Sequence, residues 1–203
     1  MDVARPYAAV APTLEGDVLV VLAGTTEPLT GARVARLVHR GTPRGVQKAL
    51  DRLVDQGIVH RQAAGRAYLH VLNRDHVAAP AVEALANLRV EFLRRLRNEI
   101  ASWKVAPAHA SLFGSVARGD GDTASDIDVL IVRPATVDEE HTEWRDQLAA
   151  LADHVESWTG NYAAVIELDE AEVRRRSRML GNARAEGIVL AGTPIRPLLG
   201  DGR

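Results

Sequence analysis

The segment from His109 to Val132, HASLFGSVARGDGDTASDIDVLIV, restricts the possible fold more than any other part of the sequence. Its first apolar run, Ala110 to Phe113, reads as a strand that stops at Gly114-Ser115. A short helical turn then carries Val116, Ala117 and Arg118, a polar glycine-containing loop follows, and Asp126-Ile127-Asp128 opens a second apolar strand through Val132. Residues i and i+2 of a strand share a face. Asp126 and Asp128 are therefore expected side by side, with Ile127 turned into the core. Two like charges at that spacing are unfavourable unless a cation lies between them, and hard oxygen ligands select Mg²⁺ or Mn²⁺. A pair of such ions, about 3.5–4 Å apart, can hold both oxygens of an in-line displacement. The glycine-serine bend supplies the complementary half. Gly114 lets backbone approach a phosphate closely, N–H groups ahead of a helical turn face an anion, Ser115 adds a hydroxyl and Arg118 a cationic fork.

These residues resemble the Gly-Ser…Arg-Gly…Ser-Asp-x-Asp signature of the polymerase-β nucleotidyltransferase superfamily, above all its minimal bacterial members. The resemblance implies transfer of a nucleoside monophosphate from an NTP to an acceptor, with release of pyrophosphate. It assigns Gly114 and Ser115 to the triphosphate-binding turn, Asp126 and Asp128 to the metal, and accessory nucleotide-binding roles to Arg118 and Ser125. Family members also use a third carboxylate, on the strand that here reads YAAVIEL, and the matching position falls on Ala163 or Ala164. Glu167 is the acid inside that strand. It either replaces the missing catalytic ligand or is a solvated strand-end residue, since a slip of one residue reverses the face. Asp153, Glu156 and Asp169 are weaker substitutes, and His109 stands where it can approach a nucleotide. Downstream, Trp144, Leu148, Leu151, Val155 and Trp158 form one stripe of an expected helix from Glu139 to Trp158. A further helix is expected from Asp169 through Arg178, with Arg174, Arg175, Arg176 and Arg178 on a solvated face, and EGIVLAG is the closing apolar segment.

Upstream, the pattern from Thr13 reads as three helices and a hairpin. Leu14, Val18, Val21 and Leu22 recur at helical spacing, with Glu15 and Asp17 in the first turn, where the helix dipole favours anions. Thr30 caps a second helix bearing Val34, Leu37 and Val38. Thr42-Pro43 starts a third, striped by Val46, Leu50, Leu53 and Val54 and closed by Gly57. IVHRQ and AYLHVL around AAGR form the hairpin, with Gly65 available for positive φ. This order resembles the winged helix-turn-helix of bacterial transcription regulators. The resemblance implies that the third helix enters the major groove of double-stranded DNA. Arg44, Gln47, Lys48 and Arg52 are then the DNA-facing residues of that helix, with Arg61 and Arg66 on the wing. Residues 31–74 hold nine basic and two acidic side chains, a local balance of +7 that suits phosphate neutralisation. A surface that only docks onto a protein partner is the competing reading.

Between the two modules, Pro80 opens an amphipathic run with Val82, Leu85, Leu88, Phe92, Leu93, Leu96, Ile100 and Trp103 at helical spacing. It reads as one long connecting helix or a homodimer surface, with Arg89, Arg94, Arg95 and Arg97 on its solvated side. The expected architecture is α+β: a winged helix-turn-helix at 1–78, a connecting helix at 79–104, and a nucleotidyltransferase α/β domain with a mixed sheet at 105–203. Residues 1–104 carry 15 basic and 10 acidic residues (+5), and residues 105–203 carry 10 and 17 (−7), which fits a polyanion-facing module joined to another. No cysteine is present, so disulfides and thiolate metal sites are excluded. With no run approaching 18 apolar residues, a cytoplasmic protein without membrane association is expected. Three functions fit: an Mg²⁺-dependent nucleotidyltransferase recruited to DNA, a regulator that senses a nucleotide without turnover, and an interaction protein similar to the nucleotidyltransferase partners of toxin–antitoxin pairs.

Overall fold

The computed structural model describes residues 1–176 and 180–195, and Arg178 lies outside them. Two compact units are present, Arg5–Arg89 and a second comprising Met1–Ala4 with the chain from Val90 onward.

The amino-terminal unit runs from a short 3₁₀ turn at Pro6–Ala9 through α1 (Leu14–Ala23), β1 (Leu29–Thr30), α2 (Gly31–Val38), α3 (Pro43–Asp55), β2 (Val59–Ala64), β3 (Ala67–Leu72) and α4 (Ala79–Ala86). Both expected caps are made: the Thr30 hydroxyl accepts from the Arg33 N–H and that of Thr42 from the Gly45 N–H. Val18, Leu22, Val34, Val46 and Leu50 make the core, so the helical stripes face one another. The hairpin closes through two residues, with Gly65 at φ +61°, the first-position conformation that only glycine adopts freely. β1 is an addition to the expected elements. Its two residues are too few for alternation to disclose, and they are extended because they pair with β3, Leu29 with His70 and Thr30 with Leu69. Asp17 does more than answer a helix dipole. Its carboxylate is buried, accepts from the Tyr7 hydroxyl at 2.8 Å and pairs with Arg40 at 2.6 Å. Burial first, and then the bond to Asp17, push the Tyr7 phenol up to about 12.

The run expected as one connecting helix is two, α4 and α5 (Leu88–Ala101), interrupted at Asn87. The Asn87 side-chain amide donates to the Glu83 carbonyl at 2.9 Å, a local bond that competes with helix continuation. The apolar stripe nevertheless continues in sequence because its parts serve two cores, Val82 in the first unit and Phe92, Leu96, Ile100 and Trp103 in the second.

In the second unit, β4 (His109–Phe113), α6 (Gly114–Arg118), β5 (Ile127–Arg133), α7 (Thr142–Thr159), β6 (Ala163–Asp169), α8 (Glu170–Arg175), α9 (Gly181–Glu186) and β7 (Ile188–Gly192) follow α5. The four-stranded sheet has the order β6-β5-β4-β7. It is mixed. β5 and β6 are parallel, as the α7 crossover between them requires, and the other neighbours are antiparallel. Ile127, Val129 and Ile131 pack on one face with Trp144, Leu151 and Val155 of α7 and with α5. Leu130 and Val132 pack on the other with Leu168, Val173 of α8 and Ala183 of α9. Asp128, two residues before Leu130, belongs to this second face. No helix among the described residues is long and apolar enough to cross a membrane.

Candidate nucleotide site

The β4–α6–β5 corner assembles the site. Phe113, the last residue of β4, pairs with Asp128, so the chain leaves β4 at Gly114 directly beside that carboxylate. Gly114 has φ +70°, and a β-carbon there would run into an Asp128 carboxylate oxygen. Glycine is required twice over, by the left-handed backbone and by the approach of the acid. The loop after Gly119 folds back, so that a β-carbon on Gly121 would meet the Ser115 hydroxyl oxygen at 3.2 Å and the Ser125 β-carbon at 3.5 Å. Gly114, Ser115, Ser125 and Asp128, separated by up to 14 positions, thus line one corner, with Asp126 exposed immediately ahead of β5.

Asn161, absent from the sequence candidates, holds this loop in place. Its buried side-chain amide donates to the Ser125 carbonyl at 2.9 Å. As the residue after Gly160 it reads only as a helix stop, and no local pattern discloses a bond to a loop 36 positions away. Ser125 itself donates to the Asp122 carboxylate at 3.0 Å.

Half-burial pushes the Asp128 carboxyl above the usual carboxylate range, the charge of Asp126 adds to the rise, and Arg118 opposes it. The ionised pair is therefore unfavourable by itself, which is the electrostatic setting of a cation site. Two carboxylates suit one Mg²⁺ or Mn²⁺ whose other ligands come from phosphate oxygens and water. Among the described residues no group of three His, Cys, Asp or Glu side chains is placed to hold a metal. Arg118 divides its guanidinium between Asp120 at 3.1 Å and Glu186 at 3.3 Å.

Glu167 does not supply the missing ligand. It pairs with Ile131, not Asp128, and the odd offset turns it to the α7 face of the sheet. There its carboxylate accepts from Arg133 Nε at 2.9 Å and Trp144 Nε1 at 2.8 Å. The residue paired with Asp128 is Ala164. Asp169 is engaged in capping α8, and Asp153 and Glu156 are exposed on α7. His109 is buried: Nδ1 donates to the Thr193 carbonyl at 2.7 Å, and Nε2 accepts from the Ser111 hydroxyl at 2.9 Å. Arg174 pairs with Glu170 within α8, Arg176 at its C-cap pairs with Glu172, and Arg94 and Arg95 pair with Glu91.

The basic residues of the amino-terminal unit divide into two sets. Arg44 and Lys48 are exposed on α3 and form no ion pair among the described residues, whereas Arg52 pairs with Glu15 of α1. Gln47 and Arg61 both donate to Asp51, at 3.1 and 3.3 Å, and together with Arg66 they line a cavity between the hairpin and the helices.

Residues 93–184 match the family model of the nucleotidyltransferase domain. The second unit accordingly carries a nucleotidyltransferase domain, and its glycine-serine bend and aspartate pair lie inside the matched segment. Among solved structures, one described as "Crystal structure of the toxin-antitoxin with AMP-PNP" is similar at 20% identity, over 56% of this chain and 79% of that one, with a TM-score of 0.33. No curated protein matches the sequence.

Proposed function

We propose that the nucleotidyltransferase domain holds a nucleoside triphosphate with one Mg²⁺ or Mn²⁺ without efficient transfer, and that the amino-terminal unit is a winged helix-turn-helix that binds duplex DNA. The chain is then a cytoplasmic, nucleotide-responsive regulator. One observation carries the first half: Asp128 rests against Gly114 while its neighbour on β6 is Ala164, and Glu167 is turned to the opposite face. In this reading Asp126 and Asp128 hold the cation, which neutralises phosphate charge when bound. Gly114 admits the phosphate to the backbone, Ser115 donates its hydroxyl to a phosphate oxygen, and Arg118 exchanges its two carboxylate partners for the triphosphate. Transfer to an acceptor calls for a base beside Asp128 to take the hydroxyl proton, and an alanine methyl cannot do so.

Calorimetry with Mg²⁺-ATP tests the site. Wild-type protein is expected to bind saturably, and Asp126→Ala combined with Asp128→Ala to weaken binding at least about 100-fold. Hydrogen bonds to charged groups contribute about 1.5–3 kcal/mol each, and a factor of ten is about 1.4 kcal/mol. Equal affinity in the double variant would reject the assignment.

The DNA reading is supported by the element order helix, strand, helix, helix, hairpin and by the exposure of Arg44 and Lys48 on α3. Arg44→Ala with Lys48→Ala is expected to weaken duplex binding and to reduce the slope of log affinity against log salt by about 1.8, at roughly 0.9 for each phosphate no longer neutralised. A slope that does not change contradicts the reading.

A further inference from the structure

Met1–Ala4 belongs to the second unit, although the chain that follows it, Arg5–Arg89, forms the other. Terminal residues are usually poorly ordered unless something ties them down. Here Val3 is 1% exposed and belongs to the same core as Phe92, Leu96, Val116 and Ile127. Ala4 is an exposed residue, but its N–H donates to the Gly121 carbonyl at 3.0 Å. The Met1 nitrogen donates to the Thr159 carbonyl at 2.8 Å and to the side-chain oxygen of Asn161.

Ala4 thus reaches the loop that brings Ser125 up to Ser115. The tip of that loop closes on itself. The Asp122 N–H donates to the Ser125 hydroxyl and the Ala124 N–H to the Asp122 carboxylate, both at 2.9 Å. Those bonds fix the shape of the turn but not its place. Its place depends on donors and acceptors outside the tip. The N–H groups of Gly119 and Asp120 donate to the Ser115 carbonyl at 2.9 and 3.1 Å. Asn161 donates to the Ser125 carbonyl, and Ala4 to that of Gly121. Gly121 is buried, where a carbonyl deprived of its donor is unfavourable, and it is the point at which the loop passes closest to the Ser115 hydroxyl.

We infer that Met1–Ala4 is a strap that positions the Ser115–Ser125 corner for the nucleotide, with Val3 as its anchor and the Ala4 N–H as its clasp. The role in binding rests on the nucleotide reading above, whereas the hold on the loop does not. Val3 and Ala4 are positioning residues that act through Gly121 and Asn161 without touching the nucleotide. Release of the strap leaves the tip of the loop closed but frees it to swing away from Ser115. The bend then presents no fixed surface to a phosphate, because a binding constellation needs its supporting groups locked as well as its contacting ones.

The test compares the full-length wild type with Ala4→Pro, which lacks the N–H, with Ala4→Gly, which keeps it, and with Val3→Asp, which places a charge in the core. Two quantities are measured: hydrogen exchange of residues 119–126 in nucleotide-free protein, and Mg²⁺-ATP affinity by calorimetry. Ala4→Pro and Val3→Asp are expected to speed exchange of the loop about threefold or more while α7 exchanges as in wild type, which separates a local release from loss of the core. Affinity should fall about threefold to tenfold in Ala4→Pro, the worth of one neutral hydrogen bond, and further in Val3→Asp. Ala4→Gly should match wild type in both. Loop exchange unchanged by Ala4→Pro and Val3→Asp overturns the strap, as does an Ala4→Gly variant that behaves like Ala4→Pro. Faster exchange with undiminished affinity overturns its role in binding. Wild type that binds no nucleotide sinks the nucleotide reading instead, and the exchange rates still decide whether the strap holds the loop. If Val3→Asp fails to fold, the two substitutions at the exposed Ala4 decide the question.

Discussion

Trp144→Ala is expected to destabilise the second unit by about 3–5 kcal/mol, the usual range for truncating a buried Trp to Ala. Trp144, near the start of α7, has no exposed surface and belongs to the core between that helix and the sheet. Its ring meets Trp103 edge-on, with centroids 5.7 Å apart and planes at 84°, an arrangement worth about 0.5–1.5 kcal/mol beyond area burial. Its indole N–H also donates to Glu167, so truncation leaves that carboxylate with Arg133 as its remaining side-chain partner among the described residues. Thermal unfolding followed by near-ultraviolet circular dichroism should register a fall of roughly 10–20 °C. A change within a few degrees would show that the core does not depend on this side chain. The same geometry makes Glu167→Gln a stability variant, with nucleotide affinity unaltered.

Gly114→Ala should disable nucleotide binding more selectively. A non-glycine residue at φ +70° costs about 1–2 kcal/mol of backbone strain, and the added methyl meets the Asp128 carboxylate. Asp128 must then turn away from the bend, which in the proposed reading separates the cation ligand from the phosphate position. Mg²⁺-ATP affinity is expected to fall at least the 10- to 100-fold typical of disturbing a metal ligand's support. Calorimetry on Gly114→Ala beside Gly65→Ala, at a positive-φ glycine of the other unit with no atom near its missing side chain, separates an effect at the bend from a general cost of replacing such a glycine. Similar affinity losses in both would remove the specific role of Gly114.

The features legible in the sequence depend on short-range chemistry. The strand–turn–strand reading of 109–132, the caps at Thr30 and Thr42 and the positive φ at Gly65 each follow from a few neighbouring residues, and the described elements agree. The features that escaped depend on partners distant in sequence. β1 exists through its pairing with β3, and Asn161 acts on Ser125 across 36 positions. Glu167 illustrates the limit most sharply. Its strand was identifiable, but only the Asp128–Ala164 register decides which face the acid takes, and alternation then excludes it from the pair. The interruption at Asn87 was hidden for a different reason, because one continuous apolar stripe supplies two separate cores.

The proposed reading, a site that retains a triphosphate without turning it over, rests on Ala164 standing beside Asp128 where transfer calls for an acid. The most direct test is pyrophosphate release from saturating Mg²⁺-ATP, measured on protein whose binding has been established by calorimetry. Bound nucleotide with no release above a protein-free control is the predicted result. Release that vanishes when Asp126 and Asp128 are both replaced by alanine would contradict it and establish the domain as an active transferase.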